Sequence, residues 1–560
     1  MAESLLRCLK DRGPDRMIVA SSSLRRWFWA GTLVLGVLAC TDEKIVYREP
    51  INPPPDANSG FLGYFTSSDK NTTCGNCHTS HQAGWVNTAH ANAYATLLNS
   101  GASQPFCESC HTVSDKGNVA AAPAGWDVVK DTAYHDVQCE SCHGPGNTHA
   151  QNPDAPAGAG NPPLAHVAVL GDSTTMAQSC ADCHSGFHHP FVDEWKLSAH
   201  AVSLQEEDGT FVKDASPTCG SCHEGRDALA AWGVTADYAE KNLPGTENYL
   251  GITCAVCHDP HGFTTGSDGL PVAGQLRFPI DVPDVNQNLC MKCHQRRAEP
   301  DQASARGPHS PQGPMLLGDA GYHPAGFDPD VQAVASTHGS ERNPRLCAGC
   351  HVNGYDVTDP NTGNQVVHSV GHLFLPIPCL DGQGAPTADR TCAYDTQART
   401  WGACTNSGCH ADASTAAAVF ASNKDLLDQL TKQVWDDKNG NDSLEAAPTD
   451  GGYLSDFTNV PPTEYVTSDN HITPAEGALF NVRMLRPGPR ELGGGVDGSS
   501  GVHNPFLARA LLTANIEELR ATYPGLPQAS AAVQDLMRKV EARNGRPLIR
   551  PGPGRAISVR

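Results

Sequence analysis

Eight times this chain spells Cys-x-x-Cys-His: Cys74/Cys77/His78, Cys107/Cys110/His111, Cys139/Cys142/His143, Cys180/Cys183/His184, Cys219/Cys222/His223, Cys254/Cys257/His258, Cys290/Cys293/His294 and Cys347/Cys350/His351. A ninth motif, Cys404 to Cys409 and then His410, has four residues between its cysteines. The spelling is chemical. Two thiols that add to the vinyl groups of a haem clamp one edge of the macrocycle, and the next residue is then placed to give its imidazole to the iron. Paired cysteines also make zinc knuckles. With 25 histidines in 560 residues, a histidine after all eight pairs by accident has odds of roughly one in 10¹¹. The expected cofactor is therefore haem c, nine copies, with the motif histidines as proximal ligands and no other cofactor.

Cysteine arithmetic agrees with this. Of 22 cysteines, eighteen serve the motifs, Cys8 and Cys40 fall in or at the end of the N-terminal leader, and Cys379 and Cys392 remain. Lying close together in an oxidising compartment, they are expected to form a local disulfide. Aromatic residues are only 6% of the chain, against 54 Gly and 42 Pro. The apolar supply is thin, so the porphyrins must fill much of the interior. The expected fold is mostly α and irregular, with covalent haems as the core and little or no β-sheet.

The net charge is −22, and beyond residue 39 there are 58 acidic against 33 basic side chains. Such a chain repels phosphate backbones, which excludes nucleic acid as a partner. Arg25 and Arg26 precede an apolar run from Trp27 to Ala39, the length of a signal-peptide core and too short to span a bilayer. The run ends Val37-Leu38-Ala39-Cys40, similar to a bacterial lipobox, so Cys40 is expected to carry lipid. This places the chain as an outer-membrane lipoprotein, or in the periplasm or at the cell surface, of a Gram-negative bacterium.

Sixteen histidines lie outside the motifs, enough to close the distal face of every iron. His90 and His200 end matching segments, Trp85-Val86-Asn87-Thr88-Ala89-His90 and Trp195-Lys196-Leu197-Ser198-Ala199-His200. His149 and His261 trail the third and sixth motifs, and His81 trails the first. A histidine so near its own proximal ligand cannot reach round the porphyrin, so it would serve a neighbouring haem. His309, His338, His372 and His503 complete nine distal ligands, with His188 or His189 as the substitute. His135, His166, His323, His368 and His471 read as surface or hydrogen-bonded imidazoles, and Met176, Met291 and Met315 as packing residues.

The order motif, Trp-x-x-Thr/Ser-Ala-His, motif, motif with trailing His occurs twice. The domain reading is a signal peptide over 1–39, a Pro-rich tether over 40–70 and a three-haem module over 71–175. Its repeat covers 176–270, and a third region with three haems and the disulfide covers 271–412. A haem-free helical region spans 413–545, and 546–560 is a disordered tail. Within the helical region, Thr473-Pro474-Ala475-Glu476 signals a helix start, Asn504-Pro505 another, and an amphipathic helix covers about 529–543. Asp437 to Asp442 is faintly similar to a calcium loop, but its Gly440 falls two places early and no Glu stands at position twelve.

From about residue 70 to 520 the chain resembles a superfamily of multihaem c-type cytochromes. It includes the tetrahaem cytochrome of ammonia oxidisers, hydroxylamine oxidoreductase, and the octahaem and pentahaem nitrite reductases. The carriers are the Cys-x-x-Cys-His-Gly-Pro-Gly-x-x-His run ending at His149, the Trp-x-x-Thr/Ser-x-His segments, His309-Ser310-Pro311-Gln312 and Asp497 to Pro505. The resemblance implies that these histidines are distal ligands and that a long helix follows His503. The chain departs from it in having no Cys-x-x-Cys-Lys, the lysine-ligated catalytic motif of the pentahaem nitrite reductases, and no complete catalytic His/Tyr set can be placed.

The functional expectation is electron transfer by a bis-His nonahaem cytochrome between extracytoplasmic redox partners. These would be other cytochromes or quinol-linked donors, with an extracellular acceptor as a further option and the membrane reached through the lipid anchor. No catalytic residue is assigned. The rival is a multihaem oxidoreductase acting on nitrite, hydroxylamine or tetrathionate at one open haem.

Overall fold

Through residues 51–412 no described helix exceeds seven residues, because the intervals between attachment motifs are short and rich in Gly and Pro. The computed structural model describes residues 51–542 apart from 157–161, 164, 166–179, 202–216, 235–250, 263, 266–272, 304–305, 329–337, 406–407, 466–468 and 489–493. The leader, Cys40, His166, Met176 and the tail 546–560 lie outside the described residues.

Most motifs open a helical turn. The amide of the motif histidine donates to the carbonyl of the first cysteine, at 2.9 Å for His78, 2.8 Å for His184, 2.8 Å for His258 and 3.1 Å for His294. That closure puts both thiols and the imidazole on one side of a single turn. In the ninth motif the His410 amide reaches the Cys404 carbonyl at 3.3 Å, so the wider spacing returns its histidine to the same station.

The Trp-His segments repeat in three dimensions as in sequence. Trp85 and Trp195 are both buried. The Trp85 indole donates to the carbonyl of Val137 at 3.0 Å, and that of Trp195 to Ile252 at 2.8 Å. Each acceptor stands two residues before a motif, the third and the sixth. The return bonds match too, from Val137 N to His90 O at 3.1 Å and from Ile252 N to His200 O at 2.7 Å. Each tryptophan thus ties the turn that carries its histidine to the segment leading into the last motif of its own module.

β-structure is confined to two small antiparallel pairs among the described residues. β1 (Tyr64–Thr66) pairs with β2 (Asn71–Thr72), and β3 (Tyr355–Thr358) with β4 (Gln365–Ser369), Tyr355 opposite Ser369. Cys379 and Cys392 are joined as a disulfide, Cα atoms 6.0 Å apart, in the loop before the ninth motif. Apolar clusters in this half are small, a handful of buried residues each. Side chains alone do not make its core.

The large cluster lies in the C-terminal region, on four helices: α1 (Ala413–Val434), α2 (Pro474–Leu485), α3 (Pro505–Thr522) and α4 (Ala531–Glu541). Thr473 and Glu476 close a reciprocal capping box on α2, and Asn504 caps α3 through the Leu507 amide at 3.0 Å. Leu427, Leu430, Leu485, Leu511 and Leu519 are essentially fully buried where α1, α2 and α3 meet. Asn481 of α2 donates to Asn515 of α3 and to the Tyr322 carbonyl, both at 2.8 Å. Glu518 of α3 accepts from the Ala325 amide at 2.8 Å, so these helices are stitched to the loop after the seventh motif. The 437–442 loop is tied down by Arg486 at the end of α2, which donates to Asp437 at 2.8 Å and to Asp442 at 2.6 Å.

Candidate haem sites

Seven motif histidines face a second histidine at one repeated spacing. Ring centres are 6.3 Å apart for His78 and His149, 6.1 Å for His143 and His261, and 6.1 Å for His184 and His90. They are 6.1 Å apart for His223 and His309, and 6.4 Å for His258 and His372. For His294 and His200, and for His351 and His503, the distance is 6.2 Å. Rings stacked on each other sit closer. Two metal–nitrogen bonds of about 2 Å, with about 1 Å more from each nitrogen to its ring centre, span about 6 Å. The spacing is what one iron between two imidazoles requires.

The hydrogen bonds fix which nitrogen is presented. His111 Nδ1 donates to the Ala93 carbonyl at 2.9 Å, His143 Nδ1 to Pro163 at 2.9 Å, His351 Nδ1 to Phe374 at 2.8 Å and His338 Nδ1 to Val502 at 2.7 Å. With Nδ1 so engaged, the lone pair sits on Nε2, the arrangement usual for metal-binding histidine. Burial, reinforced by neighbouring imidazoles, pushes His184, His200 and His351 down to about 4, which keeps their nitrogens unprotonated and able to ligate. His503 differs. Burial lowers it too, but the Asp497 carboxylate at 2.7 Å from Nδ1 outweighs that and raises it above its ordinary value.

The other sequence-predicted residues fall as follows. His338 is near enough to His410 to feel its charge, though their rings do not pair at the common spacing. His81 sits edge-on to His261 at 4.6 Å, too close for a metal between them, and 6.2 Å from His78 in its own turn. His188 lies against Phe187, and His189 is 6.1 Å from His184. His368 pairs with Asp356 on the surface, and His135 stacks on Tyr94 at 4.0 Å. His471 is exposed, and His323 packs on Phe327 at 5.0 Å. Met291 and Met315 are fully buried in apolar clusters.

Thiols of different motifs meet. Cys74 lies against Cys139, Cys180 against Cys254 and Cys290 against Cys347, first cysteine to first cysteine each time. Cys110 lies against Cys183 and Cys222 against Cys293, second to second. Cys142 is near Cys180, Cys257 near Cys293 and Cys350 near Cys404. Written by motif, the contacts run 1–3–4–6–7–8–9, with 2 beside 4 and 5 beside 7. A continuous cavity of 3710 Å³ follows motifs 2 and 4 through 9, lined by their thiols and imidazoles. Ordinary ligand pockets have ~300–1,000 Å³. The thiols, the presented imidazoles and the apolar walls fit several covalently held haems. The sequence carried no signal for this contact order, since it depends on pairings across modules.

Among the attachment thiols, Cys77, Cys142, Cys180 and Cys409 are exposed and the others are partly covered.

Known proteins agree with the class. The family described as cytochrome c554 and c-prime matches residues 73–144. The multiheme cytochrome MtrA of Shewanella baltica is 26% identical over 273 residues, 46% of this chain and 69% of that protein. The dissimilatory sulfite reductase MccA of Wolinella succinogenes is 26% identical over 226 residues, 38% of this chain and 27% of that protein. No solved structure matches. With its repeated attachment motifs, its mostly helical and irregular fold and these relatives, the chain is a multihaem c-type cytochrome that binds haem c covalently and works in electron transfer or redox chemistry.

Proposed function

We propose that the chain is an electron relay carrying nine haems, each iron held between two imidazoles, which passes electrons between redox proteins outside the cytoplasm. The observation that carries this reading is the unbroken contact order of the attachment motifs, from the first through the ninth. Haem c, once attached, supplies a one-electron iron couple. The chain's own residues do the rest: cysteines fix each site against the next, Nδ1 hydrogen bonds hold imidazoles such as His111, His143 and His351 in one tautomer, and a second histidine at every iron would leave no coordination position for a substrate. The likeness to MtrA, named a multiheme cytochrome, supports this role. The partners are other cytochromes or quinol-linked donors, and an extracellular acceptor fits the far end. Lipid on Cys40 would hold the protein at a membrane; among the described residues no helix is long and apolar enough to cross one.

A second reading is favoured by the likeness to MccA, named a sulfite reductase: one haem stays open and reduces a small sulfur or nitrogen oxyanion. Carbon monoxide added to the reduced wild-type protein separates the two. The relay binds none and turns over neither sulfite, nitrite nor hydroxylamine. Carbon monoxide on one haem, together with turnover of one of these, moves the chain to the second reading.

A further inference from the structure

We propose that His189 is the distal ligand of the second attachment site, opposite His111, and that His81 is not a distal ligand. The inference rests on the reading of paired imidazoles above and names the residue that completes one of the two sites whose rings do not pair at the common spacing.

The argument is a rule of supply between modules. Call the three motifs of a module a, b and c. The first module is then motifs 1, 2 and 3, and the second is motifs 4, 5 and 6. The a site of the second module, His184, faces His90, which follows the a motif of the first; motif 7, His294, faces His200, which follows the a motif of the second. The c site His143 faces His261, three residues after the next c motif, and the c site His258 faces His372, which follows motif 8. Apart from His78, which faces His149 of its own module, these sites are thus closed from the neighbouring module. The b site His223 obeys the same rule, since His309 follows motif 7, the a motif that comes next. Applied to the first module, the rule puts the partner of His111 in the stretch after His184, where His188 and His189 stand.

Contacts around motif 2 place it as the rule requires. Its second thiol, Cys110, meets Cys183 as Cys222 meets Cys293 in the next module. Cys110 Sγ also approaches the Asp182 carbonyl at 3.8 Å, and the Gly117 amide donates to the Asp182 carboxylate at 3.0 Å. Motif 2 is therefore fastened to the turn that carries His189. Both His111 and His189 line the same cavity, and the two imidazoles are near enough to act on each other. His188 turns toward Phe187 instead. His81 lies beside motif 1, against His261, which already faces His143.

The rule also accounts for the loose third region. Cys290 meets Cys347 first to first, the a-to-c contact of the earlier modules, and Cys350 lies near Cys404 as Cys142 lies near Cys180. Motif 8 is therefore a c site, motif 9 an a site, and the third module has no b motif. The 57 residues from Cys290 to Cys347 are then an a-to-c interval with no b motif inside it.

The test is the spin state of the intact, fully loaded protein. His189→Ala should keep nine haems by mass, gain a high-spin signal and bind about one carbon monoxide per protein on reduction; His309→Ala should behave alike at its own site. Added imidazole should return His189→Ala to the low-spin state. If His189→Ala loses haem instead, His189→Met serves, since a thioether ligand raises the midpoint potential of the one haem it binds. A His189→Ala protein that stays low-spin and closed to carbon monoxide, a His81→Ala protein that opens, or a His189→Met protein with unchanged potentials overturns the assignment. Carbon monoxide binding by the wild type would instead refute the fully closed relay, and His189 would then be judged by whether its alanine variant binds one carbon monoxide more.

Discussion

The imidazoles of His258 and His372 face each other at 6.4 Å with planes 16° from parallel, although two whole attachment motifs separate them in sequence. What brings His372 there is Glu194, buried in the short helix before the second Trp-His segment. One of its carboxylate oxygens accepts from the His372 amide at 2.6 Å and the other from the Val370 amide at 2.9 Å. A residue of the second module thus holds the strand end that carries its own partner histidine.

Removing that carboxylate should therefore act at a distance. Hydrogen bonds to a charged acceptor contribute about 1.5–3 kcal/mol, and Glu194→Ala leaves two amides unsatisfied. The expected result is a lower Tm, an unchanged haem count by mass, and a partial high-spin signal from one haem. His368→Ala, which removes the surface contacts with Asp356 and Gln365, should leave the spectrum as it was. Identical spectra for the Glu194→Ala variant and the wild type would show that Glu194 does not set the position of His372.

Haem count tests the ninth motif separately. Because the His410 amide closes on Cys404, the wide motif presents its groups as the narrow ones do, and intact mass should show nine covalent haems. Cys404→Ala/Cys409→Ala should show eight. A wild-type mass that fits eight would mean that the wider spacing is not loaded.

Much of this was legible in the sequence, and the reason is local. Attachment chemistry is written within five to seven consecutive residues, and the capping signals at Thr473 and Asn504 lie within one turn of the helices they start. The first C-terminal helix, Ala413–Val434, is marked in the same local way, since Asp412 caps it by accepting from the Thr415 amide at 2.7 Å, and its packing against α3 adds what no local signal carries. The contact order of the motifs was out of reach for a different reason. His90 serves the module that follows, whereas His261 and His372 serve the one that precedes, and spacing within a module says nothing about that exchange.

The leader makes a prediction of its own. If Cys40 carries lipid, the protein should sediment with membranes and leave them with detergent, and Cys40→Ala should appear in the soluble fraction or as an uncleaved precursor. Unchanged processing and unchanged fractionation would remove the anchor from the proposal.

Glu140 gives the chain a pH dependence with a definite sign. It is 2% exposed, between the two cysteines of the third motif, and its carboxyl accepts from the amides of Leu62, Gly63 and Gly146, the last two at 2.7 Å. Burial raises it to about 7 despite those three donors. A carboxyl raised above its unfolded value keeps its proton in the native state while the unfolded chain has released it. Stability should therefore fall as pH rises from about 4.5 to about 7 and then level off, by an amount on the order of 3 kcal/mol. Glu140→Gln cannot ionise, but its amide nitrogen meets an amide donor, so the variant should be less stable at every pH below 7 by ~1–3 kcal/mol. The slope is the readout: urea unfolding of both proteins across pH 5 to 8 should give a difference that shrinks as pH rises. A difference that stays constant would mean that Glu140 is ionised throughout, with the three backbone donors outweighing its burial.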